Sequence, residues 1–118
     1  MVKQIILVGA GGAVGSILRF LTSVYIARVE LYSFPVATFV VNMLGCFIIG
    51  LFVNLIPENN LRFLLITGFC GGFTTFSTFA TENIVLFENN QILLAIVYTI
   101  LSCLLGFGAV ALGMYLTR

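Results

Sequence analysis

The sequence predicts an all-α membrane protein of four transmembrane helices, the third broken at its centre. Composition is the first reason: 61% of the 118 residues are hydrophobic and 8% are charged, with a mean hydropathy of +1.21, whereas a soluble domain carries about a quarter charged residues. The second is the layout. Apolar runs at approximately 4–27, 33–56, 62–86 and 91–116 each exceed the roughly 20 residues that a helix needs to cross the hydrocarbon core. The third is the punctuation between them, Arg28-Val29-Glu30, Pro57-Glu58-Asn59-Asn60 and Glu88-Asn89-Asn90-Gln91, where charge and turn chemistry concentrate. Residues 1–118 therefore read as a single four-span membrane domain. With 5 basic and 4 acidic residues, the chain can build neither a water-facing surface nor a basic patch for nucleic acid.

Span one opens on an apparent nucleotide-binding signature. Gly9-Ala10-Gly11-Gly12-Ala13-Val14-Gly15 follows an apolar run, and Glu30 lies about twenty residues after Gly9, as the acid of a Rossmann turn would. The strict G-x-G-x-x-G fails at Val14, and every later segment is helix-length rather than strand-length. Gly11 and Gly15 instead form a G-x-x-x-G pair, the kind of face that lets two backbones approach where lipid supplies no hydrophobic drive for helix association. Lys3 ahead of an apolar stretch also resembles a cleaved signal peptide, but the apolar pattern continues past Arg19 and favours a first span. Arg19 would cost on the order of 3 kcal/mol at the bilayer centre; it is either a functional charge or an interfacial anchor.

In span two, Asn42 has to bridge helices or line a path, because its amide is costly to leave unpaired in lipid. Span three differs from the rest: Gly71-Gly72 followed by Phe73-Thr74-Thr75-Phe76-Ser77-Thr78-Phe79 places helix-weakening glycines and a hydroxyl cluster in mid-membrane. A break there frees carbonyls that could coordinate a cation, as in the broken helices of transporters; the alternative is a kinked helix whose hydroxyls bond to their own backbone. Phe76 and Phe79 share a helical face, with Ser77 and Thr81 in a neighbouring stripe. Ring edges are electropositive and could receive a dehydrated anion, although two phenylalanines at this spacing also suit plain core packing. Glu82, toward the end of the span, is an anchor or a partner for a cation. Span four offers Tyr98 and Ser102 on one face. Cys46, Cys70 and Cys103 all sit in apolar runs without metal-site spacing and read as small hydrophobes. Histidine is absent, which removes the commonest general base and metal ligand, so an enzyme is a poor reading.

The orientation signal is weak. Lys3, Arg62 and Arg118 fall on one side and Arg28 on the other, a small bias under the positive-inside rule. It is compatible with insertion in both directions, from which an antiparallel homodimer would follow, and with a single weakly fixed topology.

Taken together, the stretches 12–20 of span one, 38–47 of span two and above all 68–79 of span three resemble the Fluc, or CrcB, family of fluoride channels. The resemblance implies an antiparallel, dual-topology homodimer in the cytoplasmic membrane of a microbe, with two narrow pores through which fluoride leaves passively. It implies a structural sodium ion at the dimer axis, held by the backbone carbonyls of Gly71 and Thr74. It further assigns the pore phenylalanines to Phe76 and Phe79, the pore asparagine to Asn42, a hydroxyl track to Ser77 and Thr78, polar positions of span four to Tyr98 and Ser102, and a charge near the entrance to Arg19. Two rivals explain less. A proton-coupled small multidrug exporter needs an acid in mid-span one, which this chain lacks, and an accessory subunit would leave Asn42 and the Thr-Ser cluster without a task.

Overall fold

The computed structural model describes residues 1–28 and 34–118; Glu30 and the expected start of span two at 33 lie outside the described residues. Among the described residues, four helical stretches are long and apolar enough to cross a membrane. They are α1 (Val2–Ile26), α2 (Val36–Leu55), a composite third stretch (Asn59–Glu88) and α6 (Ile92–Leu116). The composite begins with one turn, α3 (Asn59–Leu61), continues as a π-helical segment (Arg62–Cys70) and α4 (Gly71–Phe73), and resumes after an interruption as α5 (Phe76–Glu88).

Local chemistry explains where the helices stop. Pro57 disfavours helical backbone at the residue before it, and Ile56 is extended (φ −114°, ψ 94°). The carbonyls left open at the end of α2 are taken by Arg62, whose guanidinium donates to Val53 O at 3.2 Å and Ile56 O at 2.6 Å. At the end of α5, Asn90 adopts a left-handed φ of 62°, a conformation that Asn tolerates better than most residues. The Gln91 amide then reaches Leu86 O at 2.8 Å and the Asn90 amide Phe87 O at 3.1 Å, the paired bonds of a Schellman cap.

Glycine decides which helices meet. A Cβ on Gly11 would collide with the backbone of Leu64 and Phe69, one on Gly15 with that of Phe69 and Phe73, and one on Gly72 with that of Gly12. Span one thus presses its Gly11/Gly15 face against a second small-residue pair, Gly68 and Gly72, in the π-helical segment and α4. On the other side of the molecule, α2 lies along α6, where Gly50 abuts the backbone of Val110 and Gly113 that of Phe47 and Leu51. Two tight helix pairs result, as close packing rather than water exclusion requires in lipid. Between them opens a groove.

The interruption falls at Thr74-Thr75, inside the stretch of glycines and hydroxyls that the sequence marked and just beyond its glycines. Gly71 and Gly72 remain helical, because Gly72 is needed for contact with α1. Thr74 (ψ 158°) and Thr75 (φ −148°, ψ 119°) are extended, and Thr75 serves as N-cap of α5 by accepting the Thr78 amide on its Oγ1 at 3.2 Å. A threonine is a good N-cap, and its hydroxyl takes one of the amides that a helix start leaves open.

Candidate functional site

An α-helix broken in mid-membrane has to satisfy its freed backbone groups by other means, since each unpaired one costs several kcal/mol in lipid. Side chains from two neighbouring helices do this here. From α2, the Asn42 side chain clasps the backbone of Thr75: Nδ2 donates to Thr75 O at 3.1 Å and Oδ1 accepts the Thr75 amide at 2.8 Å. From α1, Arg19 Nε donates to Gly72 O at 3.0 Å, with the Ser16 hydroxyl at 3.5 Å from the same oxygen. Arg19 thus turns its head toward the broken span, placing a cation at the carbonyl end of a half-helix, where the macrodipole favours it.

Among the carbonyls that this repair does not reach are those of Gly71 and Thr74. In a continuous helix Gly71 O would receive the Thr75 amide and Thr74 O the Thr78 amide. Those amides go instead to Asn42 Oδ1 and Thr75 Oγ1. Gly71 and Thr74 also line a groove of about 680 Å³ between the two helix pairs. Neutral oxygens of this kind suit a hard cation such as sodium, so the residues present fit the ion that the family resemblance implies.

The groove gathers part of the candidate set. Asn42, Gly71, Thr74, Phe76, Phe79 and Ser102 all line it. Phe76 is 78% exposed, and its ring lies 5.8 Å from that of Phe79. Ser77 and Thr78 stand beside the groove on the first turn of α5, their hydroxyls 3.4 and 3.1 Å from Thr75 Oγ1. The hydroxyls are divided between the two roles open to them: Thr74 Oγ1 donates back to Cys70 O and Thr81 Oγ1 back to Ser77 O, each at 2.9 Å, whereas those of Thr75, Ser77 and Thr78 form a cluster of their own.

Behind Phe79 the remaining candidates assemble separately. Tyr98 is fully buried, with its ring edge-on to Phe79 at 4.9 Å and to Phe34 at 5.3 Å. Its hydroxyl donates to Glu82 Oε1 at 2.9 Å, while Thr38 Oγ1 donates to Oε2 at 2.8 Å. Glu82 therefore faces inward, held by hydroxyls from α2 and α6. Tyr98 and Ser102, four residues apart on α6, serve different places: Ser102 the groove, Tyr98 the carboxylate.

Sequence reasoning missed Thr75, Thr38 and Gly68 as members of this arrangement. The N-cap preference of threonine ahead of a helical run could have singled out Thr75. Gly68 is four residues before Gly72 and makes a second G-x-x-x-G that is visible in the sequence once looked for. Nothing local marks Thr38, whose partner Glu82 lies 44 residues away.

The comparisons with known proteins bear on the same residues. The chain matches the family model described as CrcB-like protein, Camphor Resistance (CrcB), over residues 6–114, which includes every candidate above. It is 46% identical over 123 residues to a protein of Azobacteroides pseudotrichonymphae, covering 100% of this chain and 98% of the relative. It is 46% identical over 121 residues to one of Flavobacterium psychrophilum, with 98% of each covered. A third, from Phocaeicola vulgatus, is 40% identical over 120 residues, covering 98% of this chain and 99% of the relative. Each of the three is named a fluoride-specific ion channel. A four-span membrane chain that matches the family along nearly its whole length, broken third span included, belongs to the CrcB-like family.

Proposed function

We propose that this protein is a fluoride-selective passive channel that exports fluoride across the cytoplasmic membrane of a microbe and so confers fluoride resistance. It works as an antiparallel, dual-topology homodimer with two pores and a structural sodium ion at the dimer axis. One observation carries the reading: both ends of the broken span open on one groove. The carbonyls of Gly71 and Thr74 form its cation-accepting end, and the first turn of α5 forms its anion-accepting end.

The physical roles follow from that polarity. Phe76 and Ser77 carry the first amides of α5, which no helix carbonyl can accept, and the Ser77 and Thr78 hydroxyls add donors at the same place. The ring edges of Phe76 and Phe79 offer a weakly positive surface to an anion stripped of water. A sodium ion on the Gly71 and Thr74 carbonyls neutralises the negative half-helix end and offsets part of the anion's desolvation cost. Arg19 adds positive charge toward the entrance. Among the described residues no nucleotide site or titratable relay stands in mid-membrane, which suits passive movement down a gradient, with the ion held loosely enough to leave. The wide exposure of Phe76 and the open groove suit a second copy of the chain as the missing wall.

The experiment is fluoride efflux from liposomes holding the purified protein, read with a fluoride electrode after addition of a potassium ionophore, with chloride as comparison. Fast fluoride release without chloride release is expected. No release from a folded, reconstituted protein would overturn the reading. Disulfide cross-linking of detergent-purified protein in which Cys46, Cys70 and Cys103 are replaced, using paired cysteines placed at opposite helix ends, checks the antiparallel arrangement.

A further inference from the structure

We propose that Asn42 and Gly45 are positioning residues for the cation site: together they hold the 74–75 peptide so that the carbonyls of Gly71 and Thr74 stay free to receive the ion. The proposal rests on the reading above that those carbonyls bind sodium.

A helix interruption does not by itself present carbonyls in a fixed direction. Extended residues in mid-membrane swing unless something fixes both their translation and their rotation. Asn42 supplies two contacts to one residue, accepting the Thr75 amide of the 74–75 peptide and donating to the Thr75 carbonyl of the next peptide, which is how one strand of a sheet fixes another. The first of these contacts also removes the amide that would otherwise return to Gly71 O. Three residues further along α2, on the same face, Gly45 leaves the space that the Thr74 methyl fills: a Cβ on Gly45 would overlap Thr74 Cγ2. One face of α2 therefore grips both extended residues, Thr75 by hydrogen bonds and Thr74 by fit. Opposite, α1 grips Gly72 O through Arg19 and Ser16.

One Nδ2 hydrogen of Asn42 remains uncommitted in this arrangement, so direct contact with the passing anion is the rival role. Gly45 separates the two. It has no donor to offer an ion, yet Gly45→Ala pushes on Thr74.

The test uses the full-length protein and the variants Asn42→Leu, Asn42→Asp and Gly45→Ala. Three quantities are read: the melting temperature as sodium replaces N-methylglucamine, amide hydrogen exchange in the peptides covering 71–80, and fluoride efflux. Asn42→Leu and Gly45→Ala should both speed exchange at 74–76 and raise the sodium concentration for half-maximal stabilisation by at least about tenfold, the equivalent of one hydrogen bond. Asn42→Asp keeps the acceptor for the Thr75 amide and should fall between them and the unaltered protein. Asn54→Ala, which removes a contact at the far ends of α2 and α6, should change neither reading. Should Asn42→Leu fail to fold, Gly45→Ala and Asn42→Asp decide the matter. The proposal is overturned if efflux falls while exchange and the sodium requirement stay unchanged, since Asn42 then acts on the anion itself. If the unaltered protein melts without regard to sodium, the cation reading fails, and unchanged exchange at Thr75 in the variants would separately refute the clasp.

Discussion

The two halves of span three are held in place by opposite means. Its first half, the π-helical segment and α4, meets α1 backbone to backbone through Gly11, Gly15, Gly68 and Gly72. Its second half, α5, meets α6 and α2 through side chains: the ring of Phe79 against Tyr98, and Glu82 between the hydroxyls of Tyr98 and Thr38. Backbone contact permits no adjustment, because there is no rotamer to change. Side-chain contact can be altered piece by piece. A fixed half and a tunable half are thus joined by two threonines, and substitutions on either side should behave differently.

The largest effect is expected in the fixed half. Gly72→Leu drives a branched side chain into the backbone of Gly12, and overpacking of that kind should cost upwards of about 3 kcal/mol. The expected result is loss of the monodisperse peak in size-exclusion chromatography; survival of an intact peak would show that α1 and the third span can separate.

Next come the phenylalanines of the tunable half. Phe76→Ile or Phe79→Ile should bring fluoride efflux below detection in the liposome assay while the chromatographic profile stays unchanged. Normal flux in either variant would remove the aromatic edges from the mechanism. Tyr98→Phe is smaller: it takes one of the two hydroxyls from Glu82 and should lower stability by about 1–2 kcal/mol, read as a lower melting temperature. If it lowers flux in greater proportion, the carboxylate does more than brace α5. The smallest effect lies outside both halves. Asn90→Gly should shift stability by only a few tenths of a kcal/mol, since Gly also suits the left-handed backbone there, and a large change would mean that the Asn90 side chain has a further partner.

The four spans were legible because hydropathy is additive along the chain and lipid demands it of every crossing segment. The glycine face of α1 was legible too, as a spacing, but its counterpart in the third span depends on which helices pair, and 53 residues separate Arg19 from the carbonyl it reaches. The break could be read in kind and to the stretch of glycines and hydroxyls ahead of Phe76, though not to the residue. Gly71-Gly72 looks like the weak point to propensity, yet close contact with α1 keeps the glycines helical while capping by Thr75 opens the chain just beyond. The π winding left no trace in composition, since it is a response to packing. Glu82 was legible as an intramembrane charge, whereas its inward direction depends on Thr38, a contact that spacing along one helix does not contain.

The wide winding of the π-helical segment has a consequence for the membrane itself. The third stretch holds 30 residues, and drawn as one α-helix it would measure about 45 Å against a hydrocarbon layer of about 30 Å. Coiling nine of those residues more broadly lowers the rise per residue and shortens the span toward the thickness it must match. Hydrophobic mismatch would therefore be felt first in this stretch: a thicker bilayer pulls on the winding that α1 grips, and lipid chain length becomes a mechanical input to the break.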